Sequence, residues 1–321
     1  MTNRYASSRS FPRASHILWI LLTVVLLRVG FYLLSDGFSI SKIKNTFPVT
    51  SEWQLPPPTS DEQKQLKSIC EKPFYYFGKG SQVYAFLSED QKYVLKLFKC
   101  YHLQPAHWIA LIPLPSALDT ARNNSLTKRQ KKIADTLQSY KIASQSLRDE
   151  CGLVAMEILP TPKLHQEITL VDKLGRSHKI NLGDYGFIMQ RRADLIFPKL
   201  ASWIANGDIA SCKKAISSMV ALIVQRSRKG VQDSDPDLHK NAGLIDTTAI
   251  LIDLGSLHPN LNAANADVFT HDLKKITNRL NDWLKKQSPE LSAYLQEEIQ
   301  QAAKSRWKKP TYPDERSFFN W

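Results

Sequence analysis

The chain has 321 residues, 43% hydrophobic and 23% charged, with a formal charge of +13. That apolar content buries a full core and excludes a disordered chain, and the length suits a two-lobed domain of about 250 residues plus extensions. The cationic excess favours anionic partners such as nucleotides, phosphorylated molecules or acidic lipid surfaces, and serves solubility equally well. No DNA- or RNA-reading motif accompanies it, so no nucleic-acid partner is expected. Cys70, Cys100, Cys151 and Cys212 are scattered, with no C-x-x-C and no His at zinc spacing, the pattern of buried thiols.

Residues 17–34 read ILWILLTVVLLRVGFYLL, broken only by Thr23, Arg28 and Gly30. This predicts a single-pass membrane anchor near the N-terminus, with Arg28 reaching toward the interface; 1–35 form the basic N-terminus and anchor, or a signal segment. Arg4, Arg9 and Arg13 before the run nearly balance Arg28, Lys42 and Lys44 after it, so charge leaves the side of the large domain open. Residues 36–61, polar and carrying Pro56-Pro57-Pro58, predict a semi-extended linker, and folded structure is expected from about Glu62.

Residues 74–99, FYYFGKGSQVYAFLSEDQKYVLKLFK, hold the first dense pattern. Aromatic and β-branched content predicts strands over 74–77 and 82–87, turned by Gly78-Lys79-Gly80-Ser81, and a third strand after Ser88-Glu89-Asp90-Gln91. Glycines let such a hairpin lie close over phosphates. Lys96 stands in the apolar third strand, with Lys99 as an alternative that faces the other side. Residues 101–124 read as irregular, with an apolar patch at 108–115 that suits packing or partner docking.

A helix is predicted over 126–150 from Ile133, Leu137, Tyr140, Ser144 and Leu147 on one face. Strands over 152–159, 167–173, 178–182 and 185–190 follow, completing a mainly antiparallel sheet that carries one helix. Met189-Gln190-Arg191 then reads as a hinge whose backbone can reach a base edge. Helices are predicted over 197–206 and 210–229, the second with Ile216, Met219, Val220, Ile223 and Val224 on a buried stripe. It leads into residues 230–257, GVQDSDPDLHKNAGLIDTTAILIDLGSL. Here Asp233, Asp235 and Asp237 precede Asn241, and an apolar strand ends on Asp253-Leu254-Gly255. A carboxylate and an amide carbonyl brought together by adjacent loops supply the oxygen ligands that Mg²⁺ takes. Two amphipathic helices over 268–286 and 289–306 and an aromatic tail with Phe318, Phe319 and Trp321, which packs back or docks a protein partner, close the chain.

These stretches in this order resemble the protein-kinase-like superfamily, across 74–257, in its atypical bacterial kinase or pseudokinase branch. Val94-Leu95-Lys96 resembles the V-A-I-K strand, and the acid–Asn–Asp order resembles the catalytic loop followed by D-F-G. The resemblance implies an α+β bilobal fold, with 62–195 as a small antiparallel-sheet lobe plus one helix and 196–321 as a mainly helical lobe. It implies ATP and Mg²⁺ as cofactors, with Gly78, Gly80, Ser81, Lys96, Glu150 and Gln190 on the nucleotide side. Asn241 and Asp253 would hold the metal, and Glu150 or Asp149 at the end of the helix would pair Lys96. Family spacing puts the catalytic acid at Pro236, so the base is either Asp235, favoured by the Gly-x-x-Asp-x-Asp run, or Asp237, favoured by Asp-Leu-His. The third glycine of the phosphate loop would fall at Val83, and there is no A-P-E segment. The expected activity is phosphotransfer to an unread acceptor, with a membrane-anchored pseudokinase, a nucleotide-binding or protein-interaction module, as the alternative.

Overall fold

The computed structural model describes residues 14–44, 51–100, 115–260 and 266–304. The tail beyond 304, the basic residues before 14 and most of the patch at 108–115 lie outside these. The fold is mixed α/β: eight helices and twelve strands are described, seven of the strands in one curled sheet.

The first helix, α1 (Ala14–Ser35), carries a 20-residue apolar stretch, His16–Ser35, most of whose large apolar side chains are exposed, while its last turn meets the domain. It is long and apolar enough to cross a membrane, properties a signal sequence shares. The stretch after it is no free spacer. Asp36 and Gly37 turn the chain back, and α2 (Ile40–Ile43) follows. Phe38 and Ile43 are buried against one face of the sheet, which needs an apolar cover that this segment partly supplies, and Leu55 is buried in the other core cluster, which includes Leu137 and Tyr140 of the long helix that follows. Helix α3 (Ser60–Cys70) starts at a capping box between Thr59 and Glu62 and buries Leu66 and Cys70 on the same face.

Strands β1 (Phe74–Lys79), β2 (Val83–Ser88) and β3 (Tyr93–Phe98) form an antiparallel meander. Period-two alternation splits its side chains: Phe74, Tyr84, Phe86, Leu95 and Leu97 are fully buried beneath Phe38 and Leu66. Tyr75, Phe77, Ala85, Leu87, Val94 and Lys96 stay partly open on the other side. Helix α4 (Ser116–Ser146) begins ten residues before the expected start and ends four before the expected end. Asp119 in its first turn suits the helix dipole there. Residues 148–150 then turn, and Gly152 takes a left-handed φ of 56°.

Strands β4 (Leu153–Glu157), β5 (Glu167–Val171), β6 (Ser177–Asn181) and β7 (Phe187–Arg191) complete the sheet in the order β4-β7-β3-β2-β1-β5-β6. Every pairing is antiparallel except β1 with β5. Glu157, buried in β4, accepts from Thr161 Oγ1 at 2.8 Å, and burial pushes its carboxyl from 4.5 up to about 7. The folded state therefore holds this proton more tightly than the unfolded chain, and stability falls as pH rises from about 4.5 to about 7. We expect the melting temperature to drop across that window, and Glu157→Gln to flatten the drop.

After β7 a short link leads to β8 (Asp194–Leu195), α5 (Ile196–Ala205) and α6 (Ile209–Arg228). The expected stripe on α6 is buried throughout and supports the loops that follow. Those loops run between β9 (Val231–Asp233), β10 (Ala242–Ile245), β11 (Thr248–Leu251) and β12 (Leu257–Pro259). Strands β11-β10-β8 form one small sheet and β12-β9 another. Helices α7 (Ala266–Gln287) and α8 (Pro289–Lys304) pack against each other, with α8 also on α6.

Candidate functional site

Lys96 leaves the open side of β3 and donates its amine to the carbonyl of Ile252, next to Asp253 and 156 residues away in sequence. Desolvation pushes this amine from 10.5 down to about 8, opposed by the negative charge of Asp253. The carbonyl of Asn241 accepts from the backbone N–H of Ile252 at 2.9 Å and of Asp253 at 3.3 Å, so the two loops are stitched side by side. Asn241 is buried, and its side-chain N–H donates to the carbonyl of Asp235 at 2.7 Å, turning its amide oxygen the other way. Asp253 is exposed, with one carboxylate oxygen on the N–H of Gly255 at 3.1 Å. Asp253, Asn241 and Asp235 thus form one chain of contacts, and Lys96 joins it through the carbonyl of Ile252.

The two candidate bases have different surroundings. The Asp235 carboxylate is exposed and, among the described residues, pairs with Lys240 at 3.5 Å. Asp237 is engaged by Arg279 at 3.3 Å, caps the N–H of His239 at 3.0 Å and lies 4.0 Å from Lys240. Asp233, the first acid of the run, is the structural member. Its buried carboxylate accepts from Ser256 Oγ at 2.6 Å and the N–H of Asp235 at 2.9 Å, and pairs with the buried Arg226 at 3.4 Å. It therefore ties the acid loop to the segment after Asp253.

Glu150 is not the partner of Lys96. It lies beyond the end of α4, pairs with Lys229 at 2.6 Å, and its second oxygen is buried without a hydrogen bond. The expectation failed because α4 ends at Ser146, so the carboxylate leaves the helix face that meets the loop. The α4 side chains that reach that loop carry hydroxyls. Ser139 bonds the carbonyl of Leu254 and accepts from the N–H of Leu257 at 2.6 Å. Tyr140 donates to Gln82 Oε1 at 2.6 Å, and Gln82 donates to Thr136 at 3.1 Å. Gln82, in the hairpin turn, reaches down to Gly255, where an added Cβ would lie 2.9 Å from its Oε1.

Gly78 and Gly80 both sit on this hairpin. Gly78 forms a β-bulge, and an added Cβ would meet nothing within 4 Å there. Ser81 is exposed in the turn after Gly80, and Lys99 donates to the carbonyl of Gly80 at 2.5 Å, on the other side from Lys96 as expected. Gln190 sits within β7, opposite Val94 and Leu153, rather than in the link. Its side-chain N–H clamps the carbonyls of Cys151 at 2.8 Å and Leu251 at 3.2 Å.

Among the described residues no cluster of three His, Cys, Asp or Glu could hold a metal on its own. Asn241 and Asp253 stand on adjoining, backbone-paired loops and offer one amide and one carboxylate oxygen. That set fits Mg²⁺, which keeps several waters and takes one or two protein ligands alongside substrate phosphates.

No protein-family model matches the chain, and no curated protein matches it. Solved structures of WbdD, a bifunctional kinase-methyltransferase, are similar at low level. One, bound to the kinase inhibitor LY294002, aligns with 70% of this chain at 16% identity and a TM-score of 0.34. Another aligns with 74% at 16% identity and a TM-score of 0.32. The chain spans 44% of the length of the WbdD chains it matches. Likeness at this TM-score carries no weight for function, which rests on the site geometry.

Proposed function

We propose that the chain is a membrane-anchored, ATP- and Mg²⁺-dependent phosphotransferase of atypical protein-kinase-like type. Its bilobal organisation has the seven-stranded sheet with α4 as the small lobe and residues from 196 as the second, α1 being the anchor. One observation supports the reading: the Lys96 amine of β3 bonds the carbonyl of Ile252, and the backbone there is paired with Asn241, which brings the amine beside the loops that carry Asn241 and Asp253. There the Lys96 amine neutralises phosphate charge, Asn241 and Asp253 hold Mg²⁺, and the hairpin with Gly78, Gly80 and Ser81 lies over the phosphates. Asp235, held by Asn241 and open to solvent, orients the acceptor hydroxyl.

The test is thermal stabilisation of the full-length chain in detergent. Mg²⁺–ATP should raise the melting temperature, as ligands that bind the native state do, while AMP or Mg²⁺ alone should not. No shift with Mg²⁺–ATP contradicts the proposal. The affinity should also fall as pH rises above about 8, because the amine is then neutral and must take up a proton to meet the phosphates.

A second reading is a binding module without turnover. It is favoured by Glu150 pairing with Lys229, which leaves Lys96 on a backbone carbonyl. Mg²⁺–ATP stabilisation without measurable hydrolysis or transfer separates it from the first.

A further inference from the structure

The end of α1 is fixed to the domain. Asp36 pairs with Lys173 at 2.9 Å and Lys79 at 3.3 Å and accepts from Tyr76 Oη at 3.2 Å. Gly37 gives its carbonyl to Tyr84 Oη at 2.9 Å and Lys42 Nζ at 2.5 Å. The Lys173 hydrogen bond, followed by Lys79, holds the Asp36 carboxyl below its usual value, so these ties persist at neutral pH. A helix anchored so firmly sets which face of the domain meets whatever surrounds the helix.

That face is the turn between β5 and β6, Lys173-Leu174-Gly175-Arg176. Arg176 lies with its guanidinium 5.7 Å from the ring of Phe31 in α1. Phe31 is four residues before Ser35, about 6 Å down the helix, so the turn stands beside the last turn of α1 rather than above it. At its tip Leu174 is exposed, an apolar side chain between two cations. Lys173 and Lys79 share Asp36, Arg176 pairs with Asp172, and Lys42 lies on the carbonyl of Gly37, so four cations stand against two carboxylates where α1 joins the domain.

We propose that this turn and its cationic surround dock on acidic lipid headgroups where α1 enters the bilayer, with Leu174 entering the interface and holding the sheet edge against the membrane. The inference rests on α1 lying in a membrane and is independent of the nucleotide site. Apolar tips flanked by Lys and Arg gain at an anionic interface from both burial and charge, and long basic side chains keep their heads at phosphate level.

The test uses the full-length chain in nanodiscs of phosphatidylcholine alone and of an equimolar mixture with phosphatidylglycerol. An environment-sensitive dye is placed at Leu174→Cys or, as control, at Ala293→Cys, exposed on α8; the native cysteines are all buried. In acidic discs emission at 174 should shift to the blue and be quenched by lipid-borne doxyl groups, more than in neutral discs. Position 293 should remain aqueous in both. Arg176→Gln should narrow the difference between acidic and neutral discs. Emission at 174 as aqueous as at 293, equal quenching in the two lipids, or failure of the chain to enter discs would each overturn the proposal.

Discussion

Replacing Asp253 with alanine is expected to abolish Mg²⁺-dependent nucleotide binding while leaving the melting temperature of the free protein nearly unchanged. The two halves of this expectation have separate causes. Asp253 is exposed and its carboxylate bonds only the nearby N–H of Gly255 among the described contacts, so folding draws little from it. Exposed substitutions of that kind typically stay within about 0.5 kcal/mol. Binding should draw much more, because the donor set proposed for the ion consists of this carboxylate and one amide. Losing groups that merely orient a metal ligand costs roughly 10–100-fold in metal affinity, and losing a ligand should cost more than about 100-fold. Calorimetric titration of Mg²⁺–ATP into wild type and Asp253→Ala, with melting curves of both, reads the two effects separately. A variant that binds as wild type does would remove the metal from this position. Asp253→Ala also removes the opposite charge that supports the Lys96 amine, so its pKa should fall further below about 8.

Asp233→Ala should do the reverse and unfold the protein easily. Its carboxylate and the Arg226 guanidinium are both buried, 3.4 Å apart, and Arg226 already has one N–H without a partner. Removing the carboxylate leaves a buried cation without its paired anion, with only the lesser attraction of Asp272 remaining, which costs about 3–5 kcal/mol, a large share of a typical stability of 5–15 kcal/mol. It also frees the Asp235 N–H and Ser256 Oγ, so the loops on both sides of the site lose their tie. Replacing both partners, Asp233→Leu with Arg226→Met, should recover much of the loss, since a well-packed apolar pair of similar size removes the unpaired charge. Urea unfolding of wild type, single and double variants distinguishes these outcomes. A single variant as stable as wild type would show that the pair contributes nothing.

Local pattern accounts for much of what was readable beforehand. Period-two alternation marks β1 to β3 within a residue or two, and the apolar stripe on α6 appears where three–four spacing placed it. That Lys96 comes to lie beside the loop of Asp253 was legible only through motif order, because 156 residues separate the amine from its carbonyl partner, Ile252. What sequence did not reveal depends on contacts without a local signature. Gln82 meets Thr136 and Tyr140 from 54 and 58 residues away, and Ser139 meets Leu254 from 115. Glu150 was misplaced because a turn after Ser146 carries it off the helix face, and a helix boundary is the least legible feature of an amphipathic stretch. Arg226 carries a signal for Asp233: a cation among the buried residues of α6 needs an anion, and Asp233 stands seven residues on. The segment at 36–61 read as a spacer because its few apolar residues are scattered, yet Phe38, Ile43 and Leu55 are each buried.

The most direct measurement is covalent labelling of the native protein with an acyl-phosphate derivative of ATP, which transfers its tag to a lysine held at the nucleotide's phosphates. Peptide mapping should find the tag on Lys96 and not on Lys99, whose amine lies at Gly80 on the other side of the strand, and excess Mg²⁺–ATP should suppress it. A tag spread over surface lysines, absent from Lys96, or unaffected by Mg²⁺–ATP would contradict a nucleotide site at this convergence.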